Sequence, residues 1–318
     1  MQRPLLERAQ LGVYLLAIIS GALLGAALPG ASPWLELLLW PTLASLLYAT
    51  FTQIPLLHLR QIWRQPRLLL IILGANFLIV PPVVWGLMAT IGDDPVLRLG
   101  VAMVLLAPCT DWYVTFTHLG RGDARLALAS TPLLLLAQMA LLPPLIWLVA
   151  GTETAAIIES QAFAAVFVGL ILIPLTLAWL TERWAESARP GARWIALMSH
   201  APAPLLGLTL WLIAAANIQR LTLEVAMSLG HIVLIYLGYL ALVLLIARVL
   251  GWLLKLEARP ARTLCFSMGT RNSFVVLPFA LALPETMHLV IPVIVLQSLV
   301  ELAGMLFYLW YVPRLFPD

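Results

Sequence analysis

The chain has 318 residues, of which 62% are hydrophobic and only 10% charged. That balance excludes a soluble globular domain and indicates a polytopic membrane protein in the lipid bilayer. The net charge of +3 is spread between apolar stretches, which argues against a nucleic-acid surface.

The opening MQRPLLERAQ has no short apolar core followed by a small-residue cleavage site, so the first span reads as retained. Ten apolar spans can be drawn, at about 11–29, 34–57, 68–90, 97–119, 125–149, 156–180, 193–217, 226–254, 262–283 and 287–312. Each approaches or exceeds the roughly 20 residues that cross a bilayer. The expected class is therefore all-α, a single transmembrane domain over 1–318.

Span one carries Gly21 and Gly25 at small-xxx-small spacing, a stripe for close helix packing. Span two contains Pro41, Gln53 and Pro55 and should be kinked. Spans three and five hold the lone amides Asn76 and Gln138, and span seven holds His200 and Asn217. Such isolated polar residues are expected to hydrogen-bond between helices.

Span four is interrupted. Ala107-Pro108-Cys109-Thr110-Asp111 puts a proline, a thiol, a hydroxyl and a carboxylate inside an apolar helix. A charge at that depth costs roughly 2.5–3.5 kcal/mol on insertion scales. Proline frees a carbonyl one turn back. Open backbone there is tolerated only where protein or a water-filled cavity covers it. Span nine breaks in the same way, at Cys265-Phe-Ser-Met-Gly-Thr-Arg-Asn-Ser273. Broken helices in corresponding positions of two halves point to a transporter's binding site.

The spans divide into five plus five, with repeat one over 1–150 and repeat two over 151–318. An odd number per half inverts the second half. The breaks then fall in spans four and nine, expected to cross. With the N-terminus inside, 14 Lys and Arg fall on the inner side, and only Arg98 and Arg220 on the outer. Both termini are therefore expected in the cytoplasm, with the chain in the cell (inner) membrane.

Several residues at the breaks could carry chemistry. Asp111 stands where a second half-helix would begin, which suits either a helix cap or a proton or cation site. Arg271 needs a partner; Asp111 is the natural one and Glu301 the second. The pair can be a structural bridge, a fixed positive charge for an anion, or both. Glu301 has Gln297 one turn earlier on the same face. It reads either as the arginine's charge partner or as a proton carrier. Cys109 is a soft ligand at the break, while Cys265 reads as packing or a second thiol. Thr110, Thr270, Asn272 and Ser273 complete the candidate substrate-binding set. His118, His231 and His288 lie near the membrane faces and read as structural. No zinc spacing, phosphate loop, nucleophile elbow or HExxH motif occurs, so neither metal, cofactor nor enzyme activity is expected.

Ala107-Pro108-Cys109-Thr110, followed by Leu119-Gly120-Arg121-Gly122-Asp123, resembles the fourth-helix signature of arsenite efflux permeases, a branch of the bile acid:sodium symporter superfamily. The resemblance implies ten spans in inverted repeats. It also implies a core domain from spans three to five and eight to ten, and a panel domain from the rest. It places Cys109 at a cysteine implicated in transport and Glu301 at the tenth-helix carboxylate. The ninth-helix break departs from those permeases, with Arg271 inserted and Val275 where an acid is expected; Asp111 and Trp112 replace small apolar residues. A built-in guanidinium in the space and charge that sodium fills in the bile-acid branch is one consequence.

Three functions follow as expectations. The first is a secondary transporter exporting arsenite or a similar small oxyanion, coupled to protons through Glu301 or Asp111. The second is a symporter or uniporter of a small organic anion, with Arg271 as counter-charge or in place of the coupling cation. The third is a membrane sensor or scaffold that no longer transports. Protons or sodium are the candidate coupling ions. The oligomeric state is open, a homodimer being one form.

Overall fold

Long apolar runs must satisfy their own backbone in a bilayer, and helices do so within one segment. The computed structural model describes residues 3–57, 65–92, 94–110, 112–150, 161–220 and 223–317. Among the described residues all regular structure is helical, apart from an isolated antiparallel bridge between Pro108 and Arg271. Among the described residues six helices are long and apolar enough to cross a membrane. A bent pair, Arg189–Met198 and Pro202–Asn217, gives a seventh if the two form one span bent by 43°. The protein is thus a multi-pass membrane protein.

The helices fall into two units. Unit 1 covers Met1–Gln53 and Ala165–Gly230. It contains α1 (Arg3–Ala27), α2 (Ser32–Phe51), α7 (Ala164–Ser187, with a π turn at Phe167–Leu172), α8 (Arg189–Met198) and α9 (Pro202–Asn217). Here α1 lies along α9, and the small-residue stripe is what lets it. A methyl at Gly21 would collide with the carbonyl of Trp211, and one at Gly25 with that of Ala215. Gln219 Nε2 donates to Gly25 O at 2.9 Å and Ser32 Oγ to Ala216 O at 2.7 Å. Pro41 sits inside α2, while Gln53 and Pro55 lie beyond its end.

Unit 2 covers Ile54–Ala164 and His231–Asp318. It contains α3 (Pro66–Met88, with a π turn at Ala75–Ile79), α4 (Pro95–Leu105), α5 (Trp112–Leu119), α6 (Ala124–Ala150), most of α10 (Leu223–Leu253), α11 (Ala258–Gly269), α12 (Ser273–Leu281) and α13 (Val290–Leu315). The stretches 97–119 and 262–283, each expected as one interrupted span, are each two short helices: α4 and α5 in the first, α11 and α12 in the second. At 1.5 Å per residue, each piece covers roughly half a bilayer or less.

Local chemistry sets these ends. Asp94 Oδ1 accepts from Val96 N at 2.9 Å and Leu97 N at 3.1 Å, capping α4 ahead of Pro95. Asp123 Oδ1 caps α6 through Arg125 N and Leu126 N. Tyrosine hydroxyls tie α10 to its neighbours: Tyr236 to Val293 O at 2.9 Å, Tyr239 to Met268 O at 2.7 Å. In return, α13 sends Tyr308 OH to Leu240 O.

Candidate functional site at the broken spans

The two interruptions meet. Cys109 N donates to Thr270 O at 3.2 Å, and Asn272 N donates to Ala107 O at 2.8 Å. Pro108 and Arg271 therefore face each other as the non-hydrogen-bonded pair of a minimal antiparallel ladder. In such a pair the residues' own N–H groups point away from the partner strand. Pro108 has none to satisfy, so proline costs the ladder nothing there. Arg271 has one, and Glu301 Oε2 accepts it at 2.7 Å.

Glu301 is 2% exposed. The same Oε2 also accepts from Gln297 Nε2 at 2.6 Å, and Gln297 Oε1 accepts from Ser273 Oγ at 2.6 Å. One turn of α13 thus reaches the crossing through two side chains, as the four-residue spacing of Gln297 and Glu301 anticipates.

The guanidinium of Arg271 has its own set of partners. It is 3% exposed. Nη1 donates to Leu105 O at 3.2 Å. Nη2 donates to Asn76 Oδ1 at 2.8 Å, Ser267 O at 3.1 Å and Met268 O at 2.5 Å. Leu105, Ser267 and Met268 belong to the last turns of α4 and α11, whose carbonyls an interrupted helix leaves without amide partners. Those ends also carry the negative pole of each half-helix. The Tyr239 ring lies 5.4 Å below the guanidinium carbon. None of the four acceptors is a carboxylate. The expected Asp111 partner lies outside the described residues, and the second candidate, Glu301, takes the backbone N–H.

Around this centre the structure gathers most of the expected set. Cys109, Thr110, Thr270, Asn272 and Ser273 are all buried. Asn272 caps α12 by accepting from Val275 N at 3.2 Å, and its Nδ2 donates to Thr110 Oγ1 at 3.3 Å. Trp112 and Phe274, at the starts of α5 and α12, meet edge to face at 6.1 Å. Two helix N-termini and two C-termini thus converge on one bridge. The positive poles lie by the hydroxyls and Cys109, the negative poles by the guanidinium.

Five participants were not among the expected site residues. Asn76 was expected only to bond between helices; it does, giving Nδ2 to Ser267 Oγ at 2.9 Å while its Oδ1 holds the arginine. Its signal was a lone amide in an apolar span. Tyr239 and the carbonyls of Leu105, Ser267 and Met268 left no distinctive trace in the sequence. Asn76 Nδ2 also donates to its own helix at Ile72 O, as Asn217 Nδ2 does at Ile213 O, and Gln53 Nε2 bonds Thr52 Oγ1 and Ala49 O. Gln138 is fully buried, yet neither its Oε1 nor its Nε2 finds a partner among the described residues. Cys265 is buried in α11, away from the bridge strand. Among the described residues no group of three or more His, Cys, Asp and Glu side chains could hold a metal ion.

A model of the Sodium Bile acid symporter family matches residues 40–228, more than half of the chain. The match includes the first break at 107–110 and stops short of the second. No curated protein matches the chain.

Proposed function

We infer that this chain, which belongs to the Sodium Bile acid symporter family and so is a membrane transporter of a small molecule, moves a small oxyanion of the arsenite type without sodium. In this reading Arg271 stands where a coupling cation would otherwise sit. The observation that carries it is the guanidinium's surroundings. Four oxygens, three of them half-helix carbonyls and one an amide, surround a buried positive charge. Interrupted helices use such carbonyl ends to hold a sodium ion or a proton. A covalently attached cation already fills that role, so sodium has nothing left to neutralise.

Coupling then falls to protons, with Glu301 as the exchanging carboxylate and Gln297 holding it in place. Cys109 and Thr110 face the substrate together with Thr270, Asn272 and Ser273. Asp111 is assigned to the same site from its place in the sequence. A soft thiolate ligand suits trivalent arsenic.

The layout behind this reading is ten spans in two inverted repeats, 1–150 and 151–318. A shift of 163 residues takes Pro108 to Arg271, the two members of the bridge. The same shift turns the bond from Cys109 N to Thr270 O into the bond from Asn272 N to Ala107 O. It also carries Asp94, which precedes α4, onto Glu257, which precedes α11. Any antiparallel bridge has that local two-fold; a two-fold relation between the halves is what the match of Asp94 with Glu257 adds. The excess of Lys and Arg on one side supports cytoplasmic termini in the cell membrane.

The test is flux in proteoliposomes loaded with arsenite. We expect arsenite movement that follows an imposed pH gradient, is indifferent to a sodium gradient, and is lost in Cys109→Ser. Transport that requires sodium while Arg271 is intact would overturn the reading. The positive charge at the crossing also favours a second reading, a carrier of small carboxylates. Lactate uptake that is lost in Arg271→Gln, with no arsenite flux, would select it.

A further inference from the structure

We propose that Gln138 is a substrate-contacting residue, holding its side-chain amide at the face of Pro108 for the hydroxyl and oxygen of the transported solute. This rests on the repeat layout and the oxyanion reading above.

The same shift of 163 residues that takes Pro108 to Arg271 takes Gln138 to Glu301. Both residues lie in the long helices that follow the broken spans. Each of those helices packs on the half-helix before it, α6 on α5 and α13 on α12. In the second half the carboxylate accepts the N–H of Arg271 at 2.7 Å. In the first half the corresponding backbone nitrogen belongs to a proline and has no hydrogen to give. The corresponding acceptor is therefore left without its donor. That is the condition of Gln138: wholly buried, with both amide atoms unpartnered among the described residues.

A buried amide without partners is costly, and an apolar residue of similar size would remove the cost. Its retention calls for something that binds it. The site offers an NH2 donor group and a carbonyl acceptor, with no charge. It suits a solute that presents a hydroxyl and an oxygen side by side, as arsenous acid does in its neutral form. A bare cation could use only the carbonyl oxygen. The glutamine also makes the two halves unequal: one carries a carboxylate that can take a proton, the other a neutral amide that cannot.

Two measurements on the full-length purified protein test this. The first needs no solute. Pro108→Ala restores an N–H opposite Gln138. We expect Pro108→Ala to cost several degrees less in melting temperature with Gln138 present than in a Gln138→Leu background. Additive effects would overturn the placement. The second compares wild type with Gln138→Leu in potassium arsenite. We expect the solute-free variant to melt at or above the wild-type temperature, and the stabilisation by arsenite to need at least roughly tenfold more solute. A solute-free melt several degrees below wild type would assign the amide a structural partner and overturn the proposal. An unchanged arsenite response would also overturn it. If arsenite does not stabilise the wild type, the oxyanion reading fails, and with it the assignment of Gln138 to that solute. Additivity in the first measurement alone would remove Gln138 and leave the oxyanion reading standing.

Discussion

The backbone N–H of Arg271 donates to Glu301 Oε2 at 2.7 Å, while the arginine's guanidinium donates to half-helix carbonyls. One residue thus serves two neighbourhoods. Its amide recruits the carboxylate of α13, and its guanidinium closes the open ends of α4 and α11. Opposite charges share a network in which the carboxylate accepts the arginine's backbone N–H.

Glu301→Ala should therefore destabilise more than Glu301→Gln. Alanine leaves the buried N–H of Arg271 and the Nε2 of Gln297 without their acceptor, at about 1–3 kcal/mol. Glutamine keeps an oxygen in reach. Thermal unfolding in detergent of the two variants checks the order, and equal losses would show that charge, not acceptance, is what matters.

Arg271→Met should cost about 3–5 kcal/mol, the range for breaking a buried charged network by removing one partner. Much of that loss comes from Asn76 Oδ1 and the last-turn carbonyls left dry. Adding Asn76→Leu to Arg271→Met should cost less than Asn76→Leu does in the wild type. Chemical denaturation of the four proteins in a double-mutant cycle measures this; additivity would mean that the Asn76 contact is energetically idle.

Gly21→Leu and Gly25→Leu should each destabilise unit 1 by about 1–3 kcal/mol or more, since the added side chain meets rigid carbonyls of α9. Gly12, on the same helix, has open space around it, and Gly12→Ala should fall within about 0.5 kcal/mol of wild type. Melting temperatures of the three variants distinguish a packing stripe from a general intolerance of α1.

Several features were legible before any coordinates. The glycine pair on α1 announced close packing because no other residue lets two backbones approach so nearly. Pro108 announced a break because its ring and missing N–H act on the chain's own previous turn. Gln297 and Glu301 announced a shared face because helical spacing is fixed. Four acceptors of the Arg271 guanidinium were not legible. Charge matching pointed to Glu301 and to Asp111, which lies outside the described residues; among the described residues the acceptors are backbone carbonyls of Leu105, Ser267 and Met268, together with Asn76. Every residue has a carbonyl, so a site built from carbonyls leaves no mark in residue identity.

Hydrophobicity and proline are local properties, and from them the amino-acid order alone determined that this chain crosses a membrane and where two of its spans are interrupted. The tertiary structure decided what the interruptions do. Only the antiparallel bridge between residues 108 and 271 sets which N–H points outward and which carbonyls lie open. That register comes from packing distant segments together, and no stretch of sequence encodes it by itself.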